Sequence, residues 1–418
     1  MRNWVKRYRS ILIIVLAGES VFLLPFVLAR VFRPTLMEVF QINNFELGTF
    51  FSVYGMIAVA AYFFGGPLAD RFAASKLMSV ALGLTGLGGF YLSTIPSPAE
   101  MKWLYGYWGC TTILLFWAAM LRATRKWGGK LDQGKAFGYL DGGRGLTAAL
   151  IGMVAVSIFS MLLPQEVSEA TYEQRVSAFQ SVIFGCSTFV ILVSFLVRFG
   201  IQSDPTELSQ TKPSLSFKSV KQVLKLKGVW IQSIIIVCAY SGYKVSDDFT
   251  LMAKDLLNYN AVESAMVGSL MLWIRPIAAI SAGFLADRFN TTKMITVSFG
   301  LMVFGGLMIG TGAADGGVAW MVFLAIISSA LGMFAMRGLY FAIMEELKIP
   351  FPVTGTAIGV ASIIGYTPDI YMGPLMGTLL DNSPGVIGHQ HVFLLLAGFA
   401  SVGLLSVLVL KKVMYDVS

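Results

Sequence analysis

The sequence has little charge for its length. Asp, Glu, Lys and Arg make up 13% of the 418 residues, whereas 56% are hydrophobic. A soluble domain would carry roughly 25% charged residues. The composition therefore excludes an ordinary soluble protein and indicates a chain embedded in a bilayer.

Cysteine and histidine are also scarce. The three cysteines, Cys110, Cys186 and Cys238, lie inside apolar runs, so the sequence indicates neither a disulfide framework nor a metal site. The two histidines, His389 and His391, lie at the outer mouth of the last apolar segment. Any proton relay at the middle of the membrane must therefore use carboxylates.

A nucleotide-binding loop of the form Gly-x-x-x-x-Gly-Lys-Ser/Thr is absent as well. ATP is therefore not the expected energy source, and we predict neither a cofactor nor an enzymatic activity. The formal net charge of +8 does not require a nucleic acid partner. The positions of the basic residues are explained by membrane topology instead.

What the sequence does contain is a series of long apolar segments. Twelve of them reach the roughly 20 residues that a membrane-spanning helix needs. Because only helices satisfy their own backbone groups over such lengths in lipid, we predict an all-α polytopic membrane protein with twelve transmembrane helices. These segments, called spans 1 to 12, lie at about 10–31, 47–69, 76–95, 101–123, 137–163, 176–200, 228–250, 261–285, 293–313, 317–340, 353–379 and 391–410.

One long polar connection separates span 6 from span 7. It runs from Gln202 to Lys227 and contains Pro205, Pro213, several serines and lysines, which is typical of a linker. We therefore predict two six-helix halves, residues 1–201 and 228–418, joined by a cytoplasmic linker at 202–227. The basic residues of the linker would lie against anionic lipid headgroups.

The basic residues predict the orientation by the positive-inside rule. If both termini are cytoplasmic, that side holds most of the Lys and Arg residues, while the opposite loops are poor in them and contain several acids. This predicts an integral protein of an inner or plasma membrane. The basic residues on the cytoplasmic side are those of 2–9, 122–135 and 198–227, with Arg71, Lys76, Arg288, Lys293, Lys348, Lys411 and Lys412.

A short motif occurs twice, after the second span of each half. The sequence GPLADR occupies residues 66–71 and GFLADR occupies 283–288, and a lysine, Lys76 or Lys293, opens the next apolar run. A Gly-x-Leu-Ala-Asp-Arg loop between two membrane-length segments resembles the signature between helices 2 and 3 of major facilitator superfamily transporters. The resemblance implies a monomeric transporter whose two halves rock about a midplane site.

The resemblance also implies gating residues at the cytoplasmic helix ends. Arg122 and Arg337 end spans 4 and 10, about one repeat length apart. In such transporters the loop aspartate and these arginines form charge networks that brace the inner helix ends in one conformation, without contacting substrate. The residues implied to have this role are Asp70, Arg71, Asp287, Arg288, Arg122 and Arg337.

Charges inside the spans are functional candidates, because an ion near the bilayer centre costs about 2.5–3.5 kcal/mol on insertion scales. In span 1, Glu19 lies near the midplane, with Phe26 and Arg30 on nearly the same face. An ion pair that merely locks the bundle is the alternative for Glu19. In span 5, Asp141 and Arg144 share a face. They could pair within the helix, or Arg144 could face the cavity with Asp141 setting its rotamer.

Span 7 carries a polar stripe. Tyr240, Lys244 and Asp248 recur at i, i+4 and i+8, with Tyr243 and Asp247 beside them. A lysine here could meet an anionic group while the tyrosines supply hydroxyl groups. The alternative is a lysine that extends to the interface, with acids already at the water boundary.

The strongest candidate for substrate contact is Arg275, near the middle of span 8 and before Pro276, which should kink the helix. A guanidinium at that depth keeps its charge and needs a fixed or an arriving anion. A permanent ion pair is the alternative. The candidate substrate-binding residues are Arg275, Lys244, Arg30, Arg144, Tyr240, Tyr243 and Tyr366.

Proton coupling would require a carboxylate at the membrane's middle. Glu19 and Asp369, one in each half, are the deepest carboxylates that look unpaired. Because desolvation favours the protonated form of a carboxyl group that no cation faces, at least one could bind a proton near neutral pH. The candidate proton-coupling residues are Glu19, Asp369 and Asp141.

Within the superfamily, residues 122–145 and 223–230 resemble the organic phosphate antiporter branch. That branch uses one basic residue in span 1 and one in span 7, whose nearest counterparts here are Arg30 and Lys244. The resemblance implies a secondary active transporter of a small organic anion, such as a sugar phosphate, sugar acid or sulfonate. Transport would be coupled to protons or to exchange of anions.

Two alternatives remain open at this point. The first is a proton-driven exporter of apolar or cationic compounds, which predicts that transport survives loss of Arg275 but not of Glu19. The second is a sensor or lipid scramblase on the same scaffold, which predicts ligand binding without flux.

Overall fold

The structure is a computed structural model that describes residues 2–129, 133–201, 221–313, 319–343 and 354–415, with the side chains of 2–7, 70, 133–135, 354–355 and 411–415 not described. Most of the linker at 202–227, the side chain of Asp70 and Lys348 therefore lie outside the described residues. The described part is built of helices that correspond to all twelve predicted spans.

Over the described residues, ten of the spans are long and apolar enough to cross a membrane, by length and composition. The other two spans are helix Ala74–Leu92, of 19 residues, and the broken span 11. In the N-terminal half the helices are Arg2–Phe22, Leu23–Val27 and Leu28–Val31 (span 1), Asn44–Arg71 (span 2), Ala74–Leu92 (span 3), Pro98–Gly109, Cys110–Trp117 and Ala118–Gly128 (span 4), Gln133–Met161 (span 5) and Tyr172–Gly200 (span 6).

The C-terminal half repeats this order. Its helices are Lys227–Val245, Ser246–Asp248 and Phe249–Leu257 (span 7), Ala261–Phe289 (span 8), Thr291–Gly310 (span 9), Ala319–Leu339 (span 10), Thr354–Gly365 and Pro368–Asn382 (span 11) and Val386–Tyr415 (span 12). Span 11 was expected as one helix at 353–379 and is two. The break falls before Pro368, whose nitrogen carries no hydrogen for a helical bond.

Capping residues determine where several spans begin. Asn43, Thr171 and Asn260 each accept a hydrogen bond from the backbone of the first helical turn, and a Glu or Gln three residues later bonds back to the cap. These capping boxes satisfy two backbone donors that a helix start leaves free. All three begin spans at the same end of the molecule. We call this the outer end, and the end with the two Asp-Arg loops the inner end, following the predicted orientation.

Spans 1 and 7, which correspond in the two halves, are both interrupted. Span 1 is π-helical at Leu23–Val27, where Pro25 removes a backbone donor. Span 7 passes through a short 3-10 turn at Ser246–Asp248. Such interruptions free backbone and redirect side chains, and they are common at functional sites. They place Arg30 and Asp247 at the boundary between the halves.

Each half has its own apolar core. One buried cluster is formed mainly by residues from Ile11 to Val197, and a second by residues from Ile235 to Leu410. Most of the charges that the sequence places inside the spans lie between these two cores. We call this charged interface between the two apolar cores the seam.

The halves touch closely at the outer end of spans 2 and 11. Helix Pro368–Asn382 packs along Asn44–Arg71, and glycines bring the two backbones together, since a Cβ atom on Gly373 would lie 2.7 Å from the carbonyl oxygen of Gly48. The inner helix of span 11, Thr354–Gly365, packs mainly on span 7 instead. Spans 2 and 11 therefore converge at the outer end and separate toward the inner end.

Candidate functional site

Glu19 lies at the centre of the seam, between two arginines. Its Oε2 is 3.1 Å from Nε of Arg144 in span 5, and its Oε1 is 3.1 Å from Nη1 of Arg275 in span 8. All three side chains are at most 7% exposed. Glu19 is therefore not unpaired, as the sequence suggested, because two neighbouring helices each supply a guanidinium.

Asp141 completes this group, which we call the Glu19 cluster: Glu19, Asp141, Arg144 and Arg275. Its carboxylate lies 3.7 Å from Nη2 of Arg275 and is 38% exposed. Arg144 is directed to Glu19 and also lies over the rings of Phe22 and Trp117. Asp141 and Arg144 neither pair within their helix nor act together on a cavity, because each pairs with a residue of another helix. Arg275 forms an ion pair, which was the alternative to contact with a substrate.

A second charged group surrounds Asp247, at the turn within span 7. Oδ1 of Asp247 accepts hydrogen bonds from Arg30, with Nε at 2.7 Å and Nη2 at 2.6 Å. Its Oδ2 lies 3.2 Å from Nζ of Lys244. Arg30 also donates to the hydroxyl oxygen of Tyr243 at 2.9 Å. Arg30 and Lys244, two of the four basic residues proposed for substrate binding, thus both pair with the carboxylate of Asp247.

Asp369 joins this second group, which we call the Asp247 cluster: Arg30, Lys244, Asp247 and Asp369. Lys244 lies 3.5 Å from Oδ1 of Asp369, and the Tyr240 hydroxyl donates to this carboxylate at 3.1 Å. The Lys244 side chain is 2% exposed, and its ammonium group faces the rings of Phe26 and Phe51. Lys244 therefore does not extend to the interface, and Asp369 is paired rather than free.

The expected face of span 1 is confirmed. Glu19, Phe26 and Arg30 contact Arg275, Lys244 and Asp247 respectively, all in the C-terminal half. One face of span 1 therefore supplies partners to both charged clusters.

The polar stripe of span 7 ends earlier than the i, i+4, i+8 spacing predicted. Tyr240 and Lys244 both reach Asp369, but Asp248 does not. The 3-10 turn rotates Asp248 toward span 12, where its Oδ2 lies 2.7 Å from Nδ1 of His389. The other ring nitrogen of His389 lies 3.1 Å from Asp255. His389 is thus a buried tie between spans 7 and 12.

Arg337 is the least expected member of the site. Its guanidinium lies over the ring of Tyr243, 4.4 Å from the ring centroid, and the gating role implied for it stays a prediction. Tyr340, Asp141 and Tyr240 are close enough to interact with it electrostatically. Arg122, in contrast, donates to the carbonyl oxygen of Phe72 at 2.6 Å, beside the first Asp-Arg loop. The two arginines therefore have different surroundings, although their sequence positions match.

Tyrosines continue the surface beyond Arg337. Tyr240 stacks on Tyr243, and Tyr366 packs edge-on to Tyr240 and lies parallel to Tyr62 of span 2. The hydroxyl groups of Tyr340 and Tyr366 are 3.1 Å apart. Both halves thus contribute to an aromatic surface with hydroxyl groups.

The gating roles implied for the loop residues stay predictions. Arg71, Asp287 and Arg288 are exposed at the inner end, and the side chain of Asp70 is outside the described part of the chain.

The sequence reasoning missed an outer layer of the seam. Arg33, counted only as a loop residue, is 4% exposed and donates to the backbone oxygen of Asp247 at 3.1 Å and to Asn44 at 2.8 Å. Asp381 accepts from the backbone nitrogens of Asn44 and Phe45, at the start of span 2. Burial of Arg33 could have been suspected from the apolar run around it, whereas no sequence signal identifies Asp381.

This outer layer closes the seam above the Asp247 cluster. A small cavity remains beneath it, lined by Arg33, Gly48, Phe51, Lys244, Asp247, Gly373 and Met376. The charged groups below are therefore covered from the outer end by spans 2 and 11.

Two curated proteins are similar to the chain over nearly its whole length. Inner membrane protein YqcE of Escherichia coli K12 is 25% identical, over 97% of this chain and 94% of its own. Inner membrane protein YihN of the same organism is 24% identical, over 98% of this chain and 96% of its own.

Solved transporters share the fold. A bacterial homologue of the human lysosomal transporter Spinster, in an inward-facing and unoccupied conformation, superposes with a TM-score of 0.75 at 13% identity and covers 98% of each chain. A D-xylose-proton symporter superposes with a TM-score of 0.70 at 14% identity, covering 96% of this chain and 95% of its own. Identities this low show a common fold alone.

A family model described as Major Facilitator Superfamily matches residues 11–368. This match agrees with the repeated Asp-Arg loop, the apolar helices and the charged seam between two halves. The chain belongs to the Major Facilitator Superfamily and is an integral membrane transporter, not an enzyme.

Proposed function

We propose that this protein is a monomeric secondary active transporter of a small organic anion in an inner membrane, working by alternating access. The inner membrane is supported by the similarity to YqcE and YihN. Alternating access is supported by the covered outer end, the separated inner helices of spans 2 and 11, and the similarity to an inward-facing transporter. The anionic substrate rests on one observation, the environment of Arg337.

Arg337 differs from the cations of the two charged clusters. Arg144, Arg275, Arg30 and Lys244 each have a carboxylate partner within 4 Å. Arg337 has no such partner among the described residues, and its Nε is buried without a hydrogen bond. A guanidinium keeps its charge in any protein environment, and leaving a buried donor unpaired is costly. An arriving anion would satisfy both requirements.

The surroundings of Arg337 suit an organic anion with hydroxyl groups. Tyr62, Tyr240 and Tyr366 offer ring faces, and their hydroxyl groups can donate or accept hydrogen bonds. Small-molecule sites typically combine such apolar walls with a few placed polar groups. The proposed site therefore binds the acid group at Arg337 and the carbon skeleton against the tyrosines.

We expect Arg337→Gln to weaken binding of the anion on the order of 10- to 100-fold. A charged hydrogen bond contributes about 1.5–3 kcal/mol, and the substitution removes it while keeping a shorter, neutral polar side chain. The measurement begins with a thermal-shift screen of the purified protein against carboxylates, sulfonates, phosphate esters and organic cations. Uptake of the best ligand into proteoliposomes then compares wild type with the variant.

Arg198→Gln is the matched control, because Arg198 is exposed near the inner end of span 6 and lies over Phe199. It should leave binding unchanged. If only organic cations or apolar compounds stabilise the protein, and Arg337→Gln behaves as wild type, the proposal of an anionic substrate is wrong. That result would favour the proton-driven exporter of apolar or cationic compounds. Binding of the anion without flux would favour the sensor.

Coupling to protons is the second part of the proposal. Moving an anion inward against a negative potential costs about 2.3 kcal/mol per charge per 100 mV, so uptake requires a co-transported proton or an exchanged anion. Asp369 is the better carboxylate to test. Lys244 would keep Asp247 at 3.2 Å if the charge of Asp369 were removed, so the fold should survive.

We expect Asp369→Asn to abolish accumulation driven by an imposed pH gradient while leaving exchange of internal for external substrate largely intact. Both rates can be measured in the same proteoliposomes. Tyr240→Phe is a useful companion, because it removes the hydroxyl group bonded to Asp369 but no titrating carboxylate. Gradient-driven accumulation by Asp369→Asn at the wild-type level would argue against coupling through this residue.

A further inference from the structure

We infer that the substrate binds as a monoanion, a carboxylate, sulfonate or sulfate ester, and that a phosphate ester binds only after it or the site has taken up a proton. The inference rests on the proposed function and narrows its substrate class. It is drawn from the balance of buried charge along the seam.

The two charged clusters are each balanced in formal charge. In the Glu19 cluster two arginines face two carboxylates, and the pairs are 3.1–3.7 Å apart. In the Asp247 cluster Arg30 and Lys244 face Asp247 and Asp369, at 2.6–3.5 Å. Each cation of these clusters is therefore matched by a carboxylate, and the clusters offer no net positive charge to a substrate.

The outer layer is balanced as well. Arg33 and Asp381 are bridged by Asn44, which accepts from Arg33 at 2.8 Å and donates to Asp381 at 2.9 Å. In the formal charges of the seam residues that the structure describes, Arg337 is then left over, because Asp141, which also acts on it electrostatically, already pairs with Arg275. The site offers a net charge of one positive unit.

The balance of charge matters most when the site is closed around a bound ligand. When both ends of the seam close around a ligand, water is excluded, and a buried charge without a partner is strongly disfavoured. A monoanion at Arg337 leaves the occluded site neutral. A dianion leaves one negative charge, which must be removed by a proton on the ligand or on a carboxylate such as Asp141 or Asp369.

Matched sulfate and phosphate esters test this inference. Glucose 6-sulfate and glycerol 3-sulfate carry one charge at any pH near neutrality, whereas glucose 6-phosphate and glycerol 3-phosphate carry a second charge that titrates near pH 6. Ligand-induced stabilisation and calorimetry on the purified full-length protein would give the affinity of each ester at pH 7.5 and at pH 5.5. Because the sulfate esters do not titrate in this range, any change of their affinity with pH comes from groups of the protein.

We expect the sulfate esters to bind more tightly at pH 7.5 than their phosphate counterparts. Lowering the pH to 5.5 should raise the affinity of each phosphate, relative to its sulfate, by roughly 20-fold, the increase in its monoanion fraction for a pKa of about 6. At pH 7.5 calorimetry in two buffers should detect one proton taken up per phosphate ester and none per sulfate ester. Arg337→Gln should remove the preference of both esters over the parent sugar or glycerol.

Two results would count against the inference in different ways. In the first, phosphate esters bind at pH 7.5 as tightly as the sulfates, without proton uptake and still dependent on Arg337. This result would overturn the requirement for a monoanion but leave the proposal of anion transport in place. Glucose or glycerol binding as well as any ester, in wild type as in Arg337→Gln, would overturn both.

Discussion

Glu19→Gln is expected to destabilise the protein by about 3–5 kcal/mol, the range measured when one partner of a buried ion pair is removed. Glu19 is the carboxylate that lies between Arg144 and Arg275, at 3.1 Å from each. The substitution leaves two buried guanidinium groups with only Asp141, which is 3.7 Å away and partly exposed. The midpoint of thermal unfolding in detergent should therefore fall by several degrees.

The double variant Glu19→Gln, Arg275→Gln is the control for this prediction. It leaves Arg144 and Asp141, one charge of each sign, and should recover much of the stability that Glu19→Gln loses. The single variant Arg275→Gln completes a double-mutant cycle, which measures the coupling between the two residues. Additive losses in the cycle would contradict the ion pair as the source of the effect.

Glu19→Gln by itself is therefore a poor test of proton coupling. A loss of transport in Glu19→Gln would follow from the two unopposed arginines alone, whatever the role of Glu19 as a proton carrier. Asp369→Asn avoids the difficulty, because Lys244 retains a second carboxylate. A role of Glu19 in coupling is better tested in the charge-balanced double variant.

Gly373→Leu is expected to abolish transport and to hold the protein open at the outer end. Gly373 and Gly48 bring the backbones of spans 11 and 2 into contact, and a Cβ atom on Gly373 would already lie 2.7 Å from the carbonyl oxygen of Gly48. The opposing group is backbone, which cannot rotate away as a side chain can. A leucine side chain would therefore prevent closure of the outer end.

The measurement is the accessibility of cysteines placed at the outer end of the seam to a membrane-impermeant thiol reagent. Labelling should rise in Gly373→Leu while substrate exchange is lost. Gly359→Leu in the same span is the matched control, because a Cβ atom there would meet nothing within 4 Å. Wild-type exchange by Gly373→Leu would contradict the closed outer end as a required state of the cycle.

The sequence alone was enough for the coarse architecture. Backbone groups in lipid must be satisfied within their own helix, so apolar length indicates the spans almost directly. It was also enough to identify the intramembrane charges, since such residues are rare at this depth and persist where they face one another or a cavity. Glu19, Lys244, Arg275 and Asp369 all lie at the seam.

Partnerships among those charges could not be read from spacing. The helical repeat predicts which residues share a face, but not which residue of another helix lies opposite. Arg144 therefore looked like a partner of Asp141, whereas its guanidinium reaches Glu19 across to span 1. A local departure from the α-helix had the same effect at Asp248, which the 3-10 turn directs to His389.

What the sequence by itself determined is therefore a helical membrane transporter of many spans with a charged interior, because solvation by lipid acts on each segment independently of its neighbours. Only the tertiary structure decided which interior charges are compensated. Compensation requires side chains from different spans to lie 3 to 4 Å apart, because the Coulomb energy of two charges weakens as their separation grows. It separates Arg337, assigned from its position to the helix ends, from four cations that already have partners, and so makes Arg337 the residue on which the proposed anion site depends.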